Sequence, residues 1–468
     1  MPNENKNAAV LADQLLYKAA HPADNAPELA EEANAFCEGY KAFLDRAKTE
    51  REAVTVGAAM LQQAGYRVFD PDARYQPGDK VYLIHREKCL LAATIGSAPA
   101  EAGFRLNISH IDCPRLDLKP MPLYEKAHFS LLKTHYYGGL RKYQWPAVPL
   151  AIHGVFCKPN GETVTVCIGE DPGDPVFCVT DLLPHLGQEQ SERKLADGIR
   201  GEELNVLIGS QAVTDESVKE RIKLQTMLLL HEKYGIVERD FARAELEIVP
   251  ALRARDVGLD RSMVGAYGQD DRVDAYPALL AEIEVKDPFF TTVCVWTDKE
   301  EIGSDGVTGM QSDYVFHFLQ QLCRMQGADY IRALQASKCL SADVTAAYDP
   351  TWDSAYEAQN STYAGRGISI AKYTGARGKS SASDASAELV AYVTGLCEEN
   401  GVAWQIGEMG RVDLGGGGTI ARYVAHRGVD TLDVGVSVIS MHAPFEVTHK
   451  VDVLMAYKLF LAFNRAAR

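Results

Sequence analysis

Three observations predict an α/β domain with a largely parallel central sheet, interrupted by a β-rich module. From about residue 251 onward, helix-like and strand-like segments alternate, the rhythm of a sheet whose sites collect at strand ends. Between 119 and 249 the chain is instead rich in turns and short strands. At 468 residues it is also too long for one compact core. The expected division is a discontinuous α/β domain over 1–118 and 250–468, with an insert over 119–249.

Residues 8–64 are rich in Ala, Leu, Glu and Lys. Asn25-Ala26-Pro27-Glu28 reads as a helix start, and helical apolar spacing runs to about Gln63, with Gly65 as a stop. Strands are expected at 67–69, 80–84, 90–95 and 104–108, the last leading into Ser109-His110-Ile111-Asp112. In the insert, 150–157 and 163–168 flank Lys158-Pro159-Asn160-Gly161-Glu162, a hairpin signal. Residues 216–234 read as a helix. Beyond the insert, helices at 275–285, 313–325, 382–399 and 451–467 alternate with strands at 289–296, 339–343 and 433–440. Gly415-Gly416-Gly417-Gly418 lacks the Gly-Lys-Ser/Thr ending of a phosphate loop and the strand before it. It reads as a tight turn beside a ligand.

A formal net charge of -16 argues against nucleic acid or an anionic membrane surface as partner. It also poses a puzzle for any acidic substrate. None of the ten cysteines forms a Cys-x-x-Cys pair. Cys157, Cys167, Cys178 and Cys294 fall in apolar strands and read as buried thiols of a reducing compartment. Residues 1–6 lack a cationic patch followed by an apolar core, so no signal peptide is expected. No apolar run approaches the roughly 20 residues of a membrane span. The expected location is the cytoplasm.

Chemistry concentrates in Thr297-Asp298-Lys299-Glu300-Glu301-Ile302-Gly303-Ser304, after the apolar run 289–296. Adjacent carboxylates there face different ways, so Glu300 and Glu301 can hold different jobs: one binds a metal while the other moves a proton. A solvated acidic turn is the bland alternative. Four other places put a metal-competent residue at a strand end or sharp turn: His110, Asp270 in Gln-Asp-Asp-Arg-Val-Asp, Asp343 in Leu-Ser-Ala-Asp, and His442 in Met-His-Ala-Pro-Phe-Glu. Two imidazoles and three carboxylates suit two zinc ions sharing one carboxylate. No single position is specific; a lone His after a strand is usually a hydrogen-bonded core residue. Asp112 is placed to accept the other N–H of His110 and so fix its tautomer, or to cap the strand or pair with Arg115.

Asn-Ile-Ser-His110-Ile-Asp112-Cys-Pro-Arg-Leu-Asp, Asp-Lys-Glu300-Glu301-Ile-Gly-Ser, Leu-Ser-Ala-Asp343 and Met-His442-Ala-Pro-Phe-Glu together resemble the M18 family of zinc aminopeptidases, the aspartyl aminopeptidase family. The likeness spans about 107–449. It implies an α/β peptidase domain interrupted by a β-rich dimerisation domain, with dimers assembling into a tetrahedral dodecamer. It implies two Zn2+ per subunit, with Co2+ or Mn2+ as substitutes. Asp270 would bridge them, preferred over Asp271 and Asp274. His110 and Asp343 would complete one ion, and Glu301 and His442 the other. Glu300 would be the general base, with Asp112 beside it. His153 in Leu-Ala-Ile-His matches a dimerisation-domain histidine that reaches a neighbouring active site; a strand histidine without a function is the alternative. Lys372 falls where the family has a substrate-contacting lysine, or is an exposed charge.

The implied reaction is hydrolysis of the N-terminal residue of a peptide by a zinc-activated water, with preference for terminal Asp or Glu. Eukaryotic members often have a His where this chain has Thr345-Ala346-Ala347-Tyr348, and a neutral preference such as Leu is the alternative. Two other classes stay open: a two-metal phosphoesterase, disfavoured because no Arg/Lys cluster adjoins the motifs, and a non-catalytic assembling scaffold, disfavoured by the intact Glu300 and ligand set.

Overall fold

The computed structural model describes residues 8–16 and 21–467. The stretch 1–6, read above as lacking a signal peptide, lies outside them. The central sheet has nine strands in the order Arg67–Val68, Lys80–His85, Cys89–Thr94, Thr291–Thr297, Phe104–His110, Lys338–Ala342, Asp430–Gly435, Ile368–Ala371 and Trp404–Ile406. From Thr291–Thr297 through Asp430–Gly435 the four middle strands run parallel. They are buried almost throughout. Both faces are covered, so even the polar alternates of Phe104–His110, namely Arg105, Asn107 and Ser109, are buried. Pro27–Arg46, Glu50–Gln63, Gln269–Glu284, Ala387–Glu399 and Lys450–Arg465 supply the core on one face. Tyr314–Gln326, Tyr330–Ala336 and Ala421–Ala425 supply the other.

Several expected elements shift, each for a local reason. The helix expected to run through Gln63 is broken, because Thr49 and Glu52 form a capping box that restarts it at Glu50. The helix expected from 382 begins at Ala387, where the Ser386 side chain accepts from the Leu389 N–H. The helix expected from 216 begins at Arg221. The strand expected over 433–440 is two strands. The chain leaves the central sheet at Val436, whose N–H donates to the Asp274 carboxylate at 3.1 Å. Ser437–Ile439 then joins a separate five-stranded sheet.

The insert forms its own seven-stranded sheet, from Thr163–Ile168 at one edge to Cys178–Val179 at the other. All its strand-to-strand pairings are antiparallel. Its core, around Trp145, Phe156, Phe241 and Leu246, is separate from the two cores of the central sheet. The sheet reaches back to Arg115 and forward to Pro250. All ten cysteines are unpaired, but the expectation that they are buried fails at Cys157 and Cys167, which are exposed, and at Cys178, which is half-buried. Thr163–Ile168 is an edge strand, so Cys167 faces outward in the two-residue alternation. Among the described residues no helix is long and apolar enough to cross a membrane.

Candidate metal centre

The carboxyl ends of three neighbouring parallel strands meet at one rim. His110 is the last residue of Phe104–His110, and Asp343 directly follows Lys338–Ala342. Glu300 and Glu301 follow Thr291–Thr297, after the chain turns through Lys299 in the left-handed region. Asp270 opens the helix Gln269–Glu284 but keeps a non-helical backbone, which turns its side chain toward the rim. His442 follows Ser437–Ile439 with φ of 65°. A non-glycine residue holds that conformation only when its surroundings impose it. Here the His442 N–H donates to the Glu446 carboxylate at 2.6 Å.

These residues form two trios around one shared carboxylate. His110 Nε2 lies 3.2 Å from Asp270 Oδ1 and 3.9 Å from Asp343 Oδ1. His442 Nε2 lies 3.0 Å from Asp270 Oδ2 and 3.3 Å from Glu301 Oε1. Asp270 therefore turns one oxygen to each trio. Within each trio the three donor atoms lie within 4.8 Å of one another. His110 Nε2, Asp270 Oδ1 and Glu301 Oε1 are buried without a hydrogen-bond partner. Such atoms are costly unless something satisfies them, and a nitrogen-and-oxygen donor set of this kind suits zinc. All five residues, with Glu300, line one cavity of about 410 Å³.

The charges of the cluster are resolved by protons. Burial, reinforced by Asp112 and Asp270, pushes the Glu300 carboxyl up to about 7 against the pull of His110 and His442. Burial also raises Glu301 and Asp343, aided by Asp270 in the first and Glu300 in the second. Burial opposes charge on the imidazoles, yet Asp112 and Asp270 hold His110 well above its usual value. Asp270 with Glu301 holds His442 up at about 11 in the same way. Only Asp270 is held below the carboxylate range: burial works against its charge, but His110 and His442 outweigh it. A divalent cation is the natural replacement for these shared protons.

Two carboxylates hold the site's backbone in place. Asp112 Oδ1 accepts the Glu300 N–H at 3.1 Å, and Oδ2 accepts the Glu301 N–H at 3.2 Å and the Tyr137 hydroxyl at 2.8 Å. The closer partner of His110 Nδ1 is the backbone carbonyl of Asp112, at 3.0 Å, with the carboxylate at 3.4 Å. Glu446 does the matching work opposite: Oε1 takes the His442 N–H, and Oε2 takes the N–H groups of Gln269 at 2.6 Å and Asp270 at 3.2 Å. Asp271 Oδ2 accepts the His110 N–H at 3.3 Å. Glu446 and Tyr137 are not singled out by the sequence, and Asp271 enters there only as an alternative bridge to Asp270. The only signal was proximity: Glu446 closes the His442 motif and Asp271 adjoins Asp270.

Two sequence-selected residues lie apart from this cluster. Lys372 is exposed and does not line the cavity; its neighbours Ala371 and Tyr373 do, and the cations on the wall are Arg377, Lys379 and Arg411. His153 is buried in the insert sheet, not beside the cavity. Its ring nitrogens lie 2.7 Å from Glu52 and 3.0 Å from Glu170 of the same chain. That clasp ties the insert to the helix Glu50–Gln63.

A family profile described as aminopeptidase I zinc metalloprotease (M18) matches residues 43–464. The chain is 46% identical over 433 residues to a probable M18 family aminopeptidase 1 of Clostridium acetobutylicum, covering 91% of this chain and 93% of that protein. It is 42% identical over 432 residues to one of Thermotoga maritima, covering 91% of this chain and 95% of that one. The crystal structure of aminopeptidase I from C. acetobutylicum superposes with a TM-score of 0.91 at 42% identity, over 97% of this chain and all (100%) of the other. A structure of the S. cerevisiae mApe1 dodecamer has a TM-score of 0.75 at 20% identity, over 92% of this chain and 96% of that one, a likeness of fold. A chain matched along nearly its whole length by that profile, and sharing close to half its residues with a member, belongs to the M18 family of zinc aminopeptidases.

Proposed function

We propose that this aminopeptidase works with two zinc ions per subunit, with Co2+ or Mn2+ as substitutes. His110 and Asp343 would hold one ion, Glu301 and His442 the other, and Asp270 both. The observation that carries this reading is the split of Asp270, one oxygen toward each histidine. Bound zinc supplies a Lewis acid and brings the pKa of a coordinated water toward neutrality. Glu300, on the cavity wall and free of the two trios, takes a proton from the attacking water and returns it to the departing amine. Asp112 and Glu446 hold the backbone of four of these groups, so little reorganisation is needed.

The substrate is the N-terminal residue of a peptide, with Asp or Glu preferred. Support comes from Arg377, Lys379 and Arg411 on the cavity wall; Lys379 already pairs with Asp384, whereas Arg377 has no partner among the described residues. These cations answer the puzzle of an acidic chain taking an acidic terminus, in place of Lys372. Met409, Val412 and Met441 on the same wall favour the second reading, a neutral terminus such as Leu. Residues 119–249 are proposed as a dimerisation domain, set in a peptidase domain of 1–118 and 250–468. Leu182, Leu183 and Leu186 of the insert are more than half exposed, an apolar surface suited to burial in a homo-oligomer. A tetrahedral assembly of dimers is the proposed form, and the dodecamer of the S. cerevisiae mApe1 structure supports its subunit number. Unpaired thiols fit a cytoplasmic setting.

The test combines metal analysis with aminoacyl chromogenic substrates bearing Asp, Glu, Leu or Lys, with and without chelator. Two equivalents of zinc and fastest turnover of Asp or Glu are expected. One equivalent in fully active enzyme would overturn the two-ion reading, and fastest turnover of Leu the acidic preference.

A further inference from the structure

The two histidines are oriented by different parts of the chain. His110 Nδ1 donates to the carbonyl of Asp112, two residues away. His442 Nδ1 donates at 2.7 Å to the carbonyl of Gly139, which belongs to the insert. In the neutral ring that bond commits the proton to Nδ1 and leaves Nε2, facing Asp270 and Glu301, as the electron-pair donor. The two residues before Gly139 also touch the site. Gly138, at φ of 73°, passes so close that an added Cβ would lie 3.3 Å from the Glu301 Cβ and 3.4 Å from its Oε2. Tyr137 donates its hydroxyl to the Asp112 oxygen that also receives the Glu301 N–H.

Tyr137 is itself held from the insert sheet. It is the cross-strand partner of Arg115, whose guanidinium lies 4.0 Å from the centre of the tyrosine ring. Arg115 pairs with Asp117 at 2.8 Å, Glu247 at 3.3 Å and Glu50 at 3.4 Å. Glu247 lies on the neighbouring insert strand and Glu50 begins a peptidase-domain helix. A continuous set of contacts therefore runs from the insert sheet through Arg115, Tyr137 and Asp112 to Glu301.

We infer that Tyr137, Gly138 and Gly139 are positioning residues for the Glu301–His442 half of the zinc site, so that the insert completes a centre the peptidase sheet only half builds. This inference rests on the proposed assignment of Glu301 and His442 as ligands. The test is zinc titration of metal-stripped full-length protein against a chromophoric chelator, in wild type, Tyr137→Phe and Gly138→Ala. Phenylalanine keeps the ring on Arg115 and removes only the hydroxyl. Gly138→Ala adds a side chain against Glu301 at a left-handed position, and Tyr137→Phe carries the test if that variant fails to fold.

The expected result is an unchanged tight equivalent and a weaker one loosened by roughly tenfold or more in each folded variant, the range for partners that orient a ligand. Turnover falls through kcat with KM held, and excess zinc restores it, while the tight equivalent stays as in wild type, a selectivity that a general loss of stability would not produce. Zinc affinities equal to wild type in Tyr137→Phe overturn the inference. The equivalents bound by wild type test the two-ion reading by themselves. If wild type binds one, the difference between it and Tyr137→Phe still decides the positioning role.

Discussion

The two halves of the proposed zinc site are built differently. The His110–Asp343 half stands on adjacent strands of the parallel sheet, and the side chain of His110 is 1% exposed. The Glu301–His442 half is assembled from a turn, a loop in strained backbone and a carbonyl of the insert, and the side chain of His442 is 30% exposed. One half is fixed by the same hydrogen bonds that make the sheet. The other is imposed on the chain by distant partners, and so should be the one that yields first.

The largest effect tests what the halves share. Asp270→Ala removes an oxygen from both trios, so zinc content should fall toward zero and turnover toward background. Elemental analysis that finds one full equivalent would mean the carboxylate serves one half only. Next comes the proton. Glu300→Gln should keep its zinc but lose about 10²–10⁴-fold in kcat, the usual worth of a general base. Near-normal turnover with zinc retained would remove Glu300 from that role.

The contrast itself is sharpened by His110→Gln and His442→Gln. In wild type, a chelator series should strip the Glu301–His442 ion first, because that half is open to solvent. His442→Gln should bind one tight equivalent, whereas His110→Gln should retain only weak binding. The reverse order would show that burial does not rank the two halves. Protons give a further handle. Without zinc, His442 held at about 11 is charged at neutral pH. That raised value stabilises the metal-free fold below the unfolded histidine value of about 6.5, and the benefit disappears as pH rises through about 11. Zinc needs the neutral ring, so loading at pH 7 should release protons and tighten with rising pH. Calorimetry in buffers of different ionisation enthalpy measures the release; none would contradict the His442 geometry.

The sequence made the sheet-built half easier to read than the other. His110 ends a segment that alternates apolar and polar residues and Asp343 follows a short strand segment, and parallel strands bring such ends to one rim. Glu301 and His442 stand out by residue type, but nothing local announces what holds them. Asp112 reaches Glu301 across 189 positions, and Gly139 reaches His442 across 303. The same limit explains the strand expected over 433–440: an apolar run does not reveal that Asp274 draws the chain into a second sheet at Val436. Cys167 was misplaced because residue type does not say which strand is at an edge. His153 rests on a four-residue match, and no local pattern announces its clasp between Glu52 and Glu170, carboxylates far apart in the chain.

The smallest effect concerns selection of the terminal residue, where the sequence points to Lys372 and the structure to its neighbours. Lys372 is exposed off the cavity wall, while Arg377 lines it without an ion-pair partner among the described residues. A substrate carboxylate entering here would exchange water for a guanidinium at a partly open wall, where screening keeps such a pair modest. Arg377→Ala should therefore lower the Asp-to-Leu ratio of kcat/KM by no more than about tenfold, the equivalent of roughly 1.4 kcal/mol. Lys372→Ala should leave that ratio unchanged. A ratio that moves with Lys372 and not with Arg377 would place the selector outside the wall described above, and would mean that the loop carrying both residues closes differently over a bound peptide.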